Sequence, residues 1–235
     1  MTILKISYSR AYASRPNPNL ARQLSQMPDL TELYCRKNLL ENLDLSQNPC
    51  LIKLDCGWTE LPNLDVSGLN RLEILQCNNN QLTQLDLSKN TSLKKLNCGH
   101  NQLTQLDLSS VVTLEDLNCS YNTQLETLVI PYEIINLDIE GCTNLKQIIK
   151  GSETIPLYFD DNNTAYKIIS TEQPIQDNNI KMLKLEMPII PKRRTQIRYV
   201  AISENTPLYT VPMDSYSDAL WNLQDRIGKK ITIHK

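Results

Sequence analysis

Cys35, Cys56, Cys77, Cys98 and Cys119 recur every 21 residues, and the chain repeats itself around each of them. Leu30-x-x-Leu33-x-Cys35-x-x-Asn38 returns as Leu72-x-x-Leu75-x-Cys77-x-x-Asn80, then from Leu93 to Asn101 and from Leu114 to Asn122. The copy beginning at Leu51 carries Thr59 where the others have asparagine. The second half of each unit repeats as well, as Leu43-Asp-Leu-Ser, Leu64-Asp-Val-Ser, Leu85-Asp-Leu-Ser and Leu106-Asp-Leu-Ser. A fixed period in this range, with leucines so placed, makes a solenoid, because no single unit can bury its own apolar face. Stacked units also build a long surface suited to binding rather than a deep catalytic cleft.

The coils run 30–50, 51–71, 72–92 and 93–113 without a change of length. The pattern then loosens by one residue before Leu125, and Ile134-x-x-Leu137-x-Ile139-x-x-Cys142 forms the next coil. Leu157-x-Phe159-x-x-Asn162 reads as a last, degraded coil, about the seventh. In each coil the leucines and the cysteine are the inward residues of a short strand, and successive strands stack as a parallel sheet in register. The asparagine turns the chain inward, and its amide is expected to satisfy backbone groups in its own coil and the next. The second leucine set, as in Leu82, Leu85 and Leu87, lines the other side of the core.

Seven cysteines raise the question of metal or disulfides. Zinc ligands come in close pairs such as C-x2-C, and none is present. In-register side chains on adjacent coils point the same way, which is poor geometry for an S–S torsion. The ladder is therefore read as buried free thiols acting as small hydrophobes, which suits a reducing compartment. The Asp44, Asp65, Asp86 and Asp107 column is read as a repeated turn contact rather than a cation ladder. No cofactor or metal site is expected. His100 and His234 lie in no nucleophile motif, and Gly-rich phosphate loops are absent. A net charge of −2 offers no global field for nucleic acid. No apolar run is long enough to span a bilayer, and Met1 to Ser7 lacks a secretory pattern.

The unit L-x-x-L-x-C-x-x-N-x-L-x-x-L-D-L-S-x-N resembles the bacterial leucine-rich repeat of the internalin type, and within it the cysteine-ladder variant. The resemblance covers about residues 30–165. It implies an α/β-type horseshoe with a concave parallel sheet and recognition of a partner protein. The repeats are also similar to those of leucine-rich effectors injected by pathogenic bacteria. Some of those end in a ubiquitin-ligase domain with a catalytic cysteine, whereas this chain has none after Cys142.

Residues 1–29 are expected to cap the solenoid, with a strand near Ile3 to Ser7 and a short helix from Leu20 to Leu24. Residues 166–235 leave the period and read as a small α+β unit. Its expected strands are Lys181 to Pro188, Gln196 to Ile202, Leu208 to Val211 and Lys230 to Ile233. A helix is expected over Ser215 to Ile227. Lys192-Arg193-Arg194 reads as a solvated basic loop.

Residues flanking the inward leucine and cysteine should face outward, because side chains alternate along a strand. The expected partner-binding set is Tyr34, Arg36, Lys53, Trp58, Ile74, Gln76, Lys95, His100, Asp116, Tyr121, Asp138 and Tyr158. Charge runs from basic to acidic along it, so a partner's acidic part should meet the first coils and its basic part Asp138 to Asp161. Alanine at Trp58 or Tyr121 should weaken binding with little loss of stability. The expected function is a monomeric protein-binding module, a bacterial effector or intracellular scaffold meeting a partner protein, even one of a host. It would work in the producer's cytoplasm or inside a host cell. The alternative is an enzyme or modifier whose activity lies in residues 166–235.

Overall fold

The computed structural model describes residues 1–6, 19–132, 134–159, 165–175, 180–187 and 196–203. The chain divides into two compact units, Met1–Thr154 and Ile155–Lys235. The first unit opens with β1 (Thr2–Lys5), α1 (Leu20–Ser25) and β2 (Leu30–Tyr34). It continues through β3 (Lys53–Asp55), β4 (Ile74–Gln76), β5 (Lys95–Asn97), β6 (Gln105–Asp107) and β7 (Asp116–Asn118). β8 (Thr127–Ile130), β9 (Asn136–Asp138) and β10 (Gln147–Lys150) complete it.

One parallel sheet, here the front sheet, runs β1-β2-β3-β4-β5-β7-β9. Its register is the repeat made visible: Leu33 aligns with Leu54, Leu75, Leu96, Leu117 and Leu137. These leucines and the ladder cysteines are buried to 5 % exposure or less. On the opposite side, β6, β8 and β10 form a second parallel sheet. Leu82, Leu85, Leu87 and their equivalents fill the core from that side.

The buried turns are closed by the asparagine column. Asn101 Nδ2 donates to Cys98 O at 2.9 Å and to Cys77 O at 3.0 Å, while its Oδ1 accepts from Leu82 N. Asn80 and Asn122 repeat the scheme. The amide therefore serves its own coil and the preceding one, not the next as the sequence suggested. Two exceptions keep the chemistry. The Thr59 hydroxyl lies 2.7 Å from Cys56 O and 2.9 Å from Asn80 Oδ1. Cys142, at the asparagine position, donates its thiol to Cys119 O at 3.2 Å.

All seven cysteines are free, and only Cys50 is not fully buried. The aspartate column makes turn contacts: Oδ1 of Asp44, Asp65, Asp86 and Asp107 each accepts the backbone N–H two residues on, at 2.9 Å. Hydrogen bonds from the serine two residues on, side chain then backbone for Ser46 and Ser67 and backbone then side chain for Ser88, hold the exposed carboxyls of Asp44, Asp65 and Asp86 below the usual carboxylate range. Ahead of the first coil, Leu20 and Leu24 of α1 are buried, and Asn48 Nδ2 donates to Leu24 O and Met27 O.

Three expectations are corrected. The described residues of the coils contain no helix, so the solenoid is a β-solenoid rather than of α/β type. An α-helix is about 10 Å across, twice the roughly 4.8 Å pitch of stacked strands. A 21-residue coil crosses back in extended chain and Asp-x-Ser turns instead. The solenoid also has six turns in the front sheet beyond β1, not seven. The segment read as a seventh coil belongs to β11 (Glu153–Phe159), which pairs antiparallel with β12 (Ala165–Ile175). β12 pairs in turn with β13 (Ile180–Met187), and β13 with β14 (Gln196–Ser203), all antiparallel. The strands expected over 181–188 and 196–202 are present, and β12 was missed. Those expected at 208–211 and 230–233, the helix over 215–227 and the basic run at 192–194 lie outside the described residues.

Candidate functional site: the front face of the solenoid

Three columns of side chains run across the front sheet. The first is Glu32, Lys53, Ile74, Lys95, Asp116 and Asn136, aligned strand by strand. Tyr34, Asp55, Gln76, Asn97, Asn118 and Asp138 form the second, in the same register. All of these are half-buried or exposed, whereas the leucine between them is buried in every strand. Tyr34, Lys53, Ile74, Gln76, Lys95, Asp116 and Asp138 of the expected set thus share one face.

The third column lies beyond the strands. Lys37, Trp58, Asn79, His100 and Tyr121 have φ between 54° and 61°, and Gly141 has φ 69°. Every coil places the residue two after the ladder position in the left-handed region. Its N–H still bonds the next coil, as Trp58 N does to Asn78 O at 2.9 Å. Trp58, His100 and Tyr121 are therefore not alternating strand residues, as expected from sequence, but a ridge along the strand ends. A non-glycine residue there costs about 1 kcal/mol. Tyr121 and His100 recover it locally, with ring centroids 4.5 Å apart and planes 11° from parallel. Tyr121 also donates its hydroxyl to Glu140 Oε1 at 2.6 Å. A Cβ at Gly141 would come within 2.7 Å of the Tyr121 ring, so the glycine makes room for it. That hydroxyl bond and the nearby Glu140 and Asp138 charges raise the Tyr121 pKa. Tyr121 thus makes contacts within the fold as well as facing outward. Trp58 is different: it is 50 % exposed, and its ring stacks on no other ring among the described residues.

The two ends of the face differ electrostatically. At the far end, Lys95 pairs with Asp116 at 2.7 Å, and Asn136 also donates to Asp116. Those hydrogen bonds from Lys95 and Asn136 hold the Asp116 carboxyl below its usual range. Asn118 Nδ2 donates to Asp138 Oδ2, and Asp138 Oδ1 accepts Glu140 N. At the near end, Lys5 Nζ and Lys53 Nζ lie 5.3 and 5.7 Å from the centroid of one ring, Tyr34. Arg36 and Lys37 are exposed just beyond it. The side chains of Tyr158, Asp160 and Asp161 lie outside the described residues.

Lys5 was missed because β1 precedes the repeat and carries none of its pattern. The left-handed ridge was missed too, although Asn79 and Gly141, residues that tolerate positive φ, stand in its column. Among the described residues no three His, Cys, Asp or Glu side chains gather as a metal site, and no helix is long and apolar enough to cross a membrane.

No protein-family model matches the chain, and no curated protein matches it. Solved structures do. The functional domain of InlJ from Listeria monocytogenes, which includes a cysteine ladder, is 26% identical at a TM-score of 0.39 over 62% of this chain and 45% of that one. The leucine-rich repeat domain of APL1B is 26% identical at a TM-score of 0.50, over 58% of this chain and 43% of that one. The chain spans less than half the length of either. It is a leucine-rich repeat protein, structurally similar to both.

Proposed function

We propose that this chain is a protein-binding module, a bacterial effector or intracellular scaffold, whose partner docks across the front sheet and its ridge. Leucine-rich repeat domains generally serve as protein-interaction modules, and a solenoid stacks its exposed positions into one continuous surface. The observation that carries the reading is Trp58. It is a large aromatic side chain, half exposed, in a backbone conformation that suits glycine. Among the described residues no other ring stacks on it, and aromatic anchors of this kind dominate binding energy. Seven free thiols support work in a reducing compartment, in the producing cell or an injected host cell.

Trp58→Gly separates function from stability. The variant should melt at the parent's temperature or slightly above, because glycine relieves the left-handed backbone. It should also weaken binding of a verified partner by about 2 kcal/mol or more, read by calorimetric titration. Undiminished affinity in that variant would remove the front face from the proposal.

A further inference from the structure

We infer that the near end of the front sheet, centred on Tyr34, is a subsite for a carboxylate-rich peptide segment of the partner protein. This rests on the front-face reading and deepens it. Lys5 and Tyr34 align across β1 and β2, and Lys53 aligns with Glu32 across β2 and β3. Two ammonium groups from different strands thus converge on one ring. The local carboxylates form no ion pair with them among the described residues. Glu32 Oε2 accepts the Tyr34 hydroxyl at 2.7 Å, and Asp55 Oδ1 accepts Gly57 N at 3.2 Å. The ion pairs among the described residues are Lys94–Glu73 and Lys95–Asp116, both farther along the solenoid. Among the described residues, Lys5, Arg36, Lys37 and Lys53 form no ion pair.

The far end is the reverse. Asp116 and Asp138 are each bonded twice, and Glu140 holds the Tyr121 hydroxyl. A basic partner segment would compete with Lys95 for Asp116, whereas an acidic one at the near end displaces no ion pair among the described residues. Unpaired cations facing solvent are where complementary charge steers an encounter. The net charge of −2 on the whole chain makes the preference local to this patch. Trp58, on the ridge of the second coil, offers an apolar surface beside it.

The test uses the full chain and fluorescein-labelled hexaglutamate at low salt, followed by anisotropy. Hexaglutamate should bind, and added sodium chloride should weaken it, since exposed charges are screened. Lys5→Gln with Lys53→Gln, which keeps most of each stem, should cost about tenfold or more in affinity at an unchanged melting temperature. Lys94→Gln, in a cation already paired with Glu73, should change nothing. Equal binding of hexalysine, or parent-like binding by the double variant, overturns the inference. A sulfated oligosaccharide that binds more tightly through the same lysines overturns the peptide assignment. The two readings fail separately. If hexaglutamate does not bind while a verified partner needs Trp58, the acidic subsite falls and the front face stands. If hexaglutamate needs Lys5 and Lys53 while the partner ignores Trp58, the front-face reading falls and the subsite stands.

Discussion

At the scale of single residues, the asparagine column carries more of the fold than its size suggests. Asn101 is 7 % exposed and satisfies three backbone groups that water does not reach. Replacing it with leucine would leave Leu82 N without its acceptor in a buried turn, while Cys77 O and Cys98 O would each keep one asparagine amide, from Asn80 and Asn122. A buried group left unmade costs about 1–3 kcal/mol. Asn101→Leu should therefore lower unfolding free energy by roughly 1–3 kcal/mol, measured by denaturant titration. Asn101→Thr should lose less, because Thr59 already does part of this work in the second coil. A leucine variant as stable as the parent would mean the column is packing alone. The importance of these asparagines was legible in the sequence. Their bonding to the preceding coil was not, because the pattern carries no information on which way the turn leans.

At the scale of elements, the cysteine ladder ties stability to pH. Burial pushes the Cys35 and Cys77 thiols up to about 12, and burial also raises Cys56 and Cys98. An unfolded thiol ionises near 8.5. Between about 8.5 and 12 the unfolded chain has therefore released protons that the folded chain keeps, so rising pH favours unfolding. The slope approaches about 1.4 kcal/mol per pH unit for each such thiol. Stability should fall steeply above about pH 8.5, and Cys77→Val should flatten the fall in denaturant titrations from pH 7 to 10. Identical slopes in parent and variant would contradict the ladder's role. The inward face of each strand was readable from spacing alone. The turn geometry after it was not, since left-handed φ leaves no trace when Trp58 or Tyr121 occupies the position. Leu157-x-Phe159 misled for a related reason: alternation of period two fits a coil strand and an antiparallel strand equally well.

At the scale of the whole molecule, the first unit behaves as a stack whose stability is a sum over neighbouring coils. Excising residues 72–92 removes one full period and sets Leu93 where Leu72 was. The shortened chain should stay folded, with lower stability and a smaller denaturant slope, because less surface is exposed on unfolding. Hexaglutamate binding should survive, since Lys5, Tyr34 and Lys53 precede the cut. Removing 72–82 instead breaks the register and should cost the circular-dichroism signature of the sheet. A half-period deletion that folds as well as the full-period one would refute the stacked-coil picture.

The amino-acid sequence alone determined the period, the inward columns, the free buried thiols and the outward positions of the strands. Each follows from local alternation repeated at a constant interval, so any stack of these coils must obey it. Tertiary structure decided the rest, because it depends on neighbours the pattern does not name. It set the left-handed ridge, the direction of the asparagine bonds, the antiparallel fate of residues 153–159 and the convergence of Lys5 and Lys53 on Tyr34. Above all it decided which charges along the face are already spent on each other. Columns in a sequence record which residues are charged, and only the folded contacts separate a paired carboxylate from a lysine still facing water.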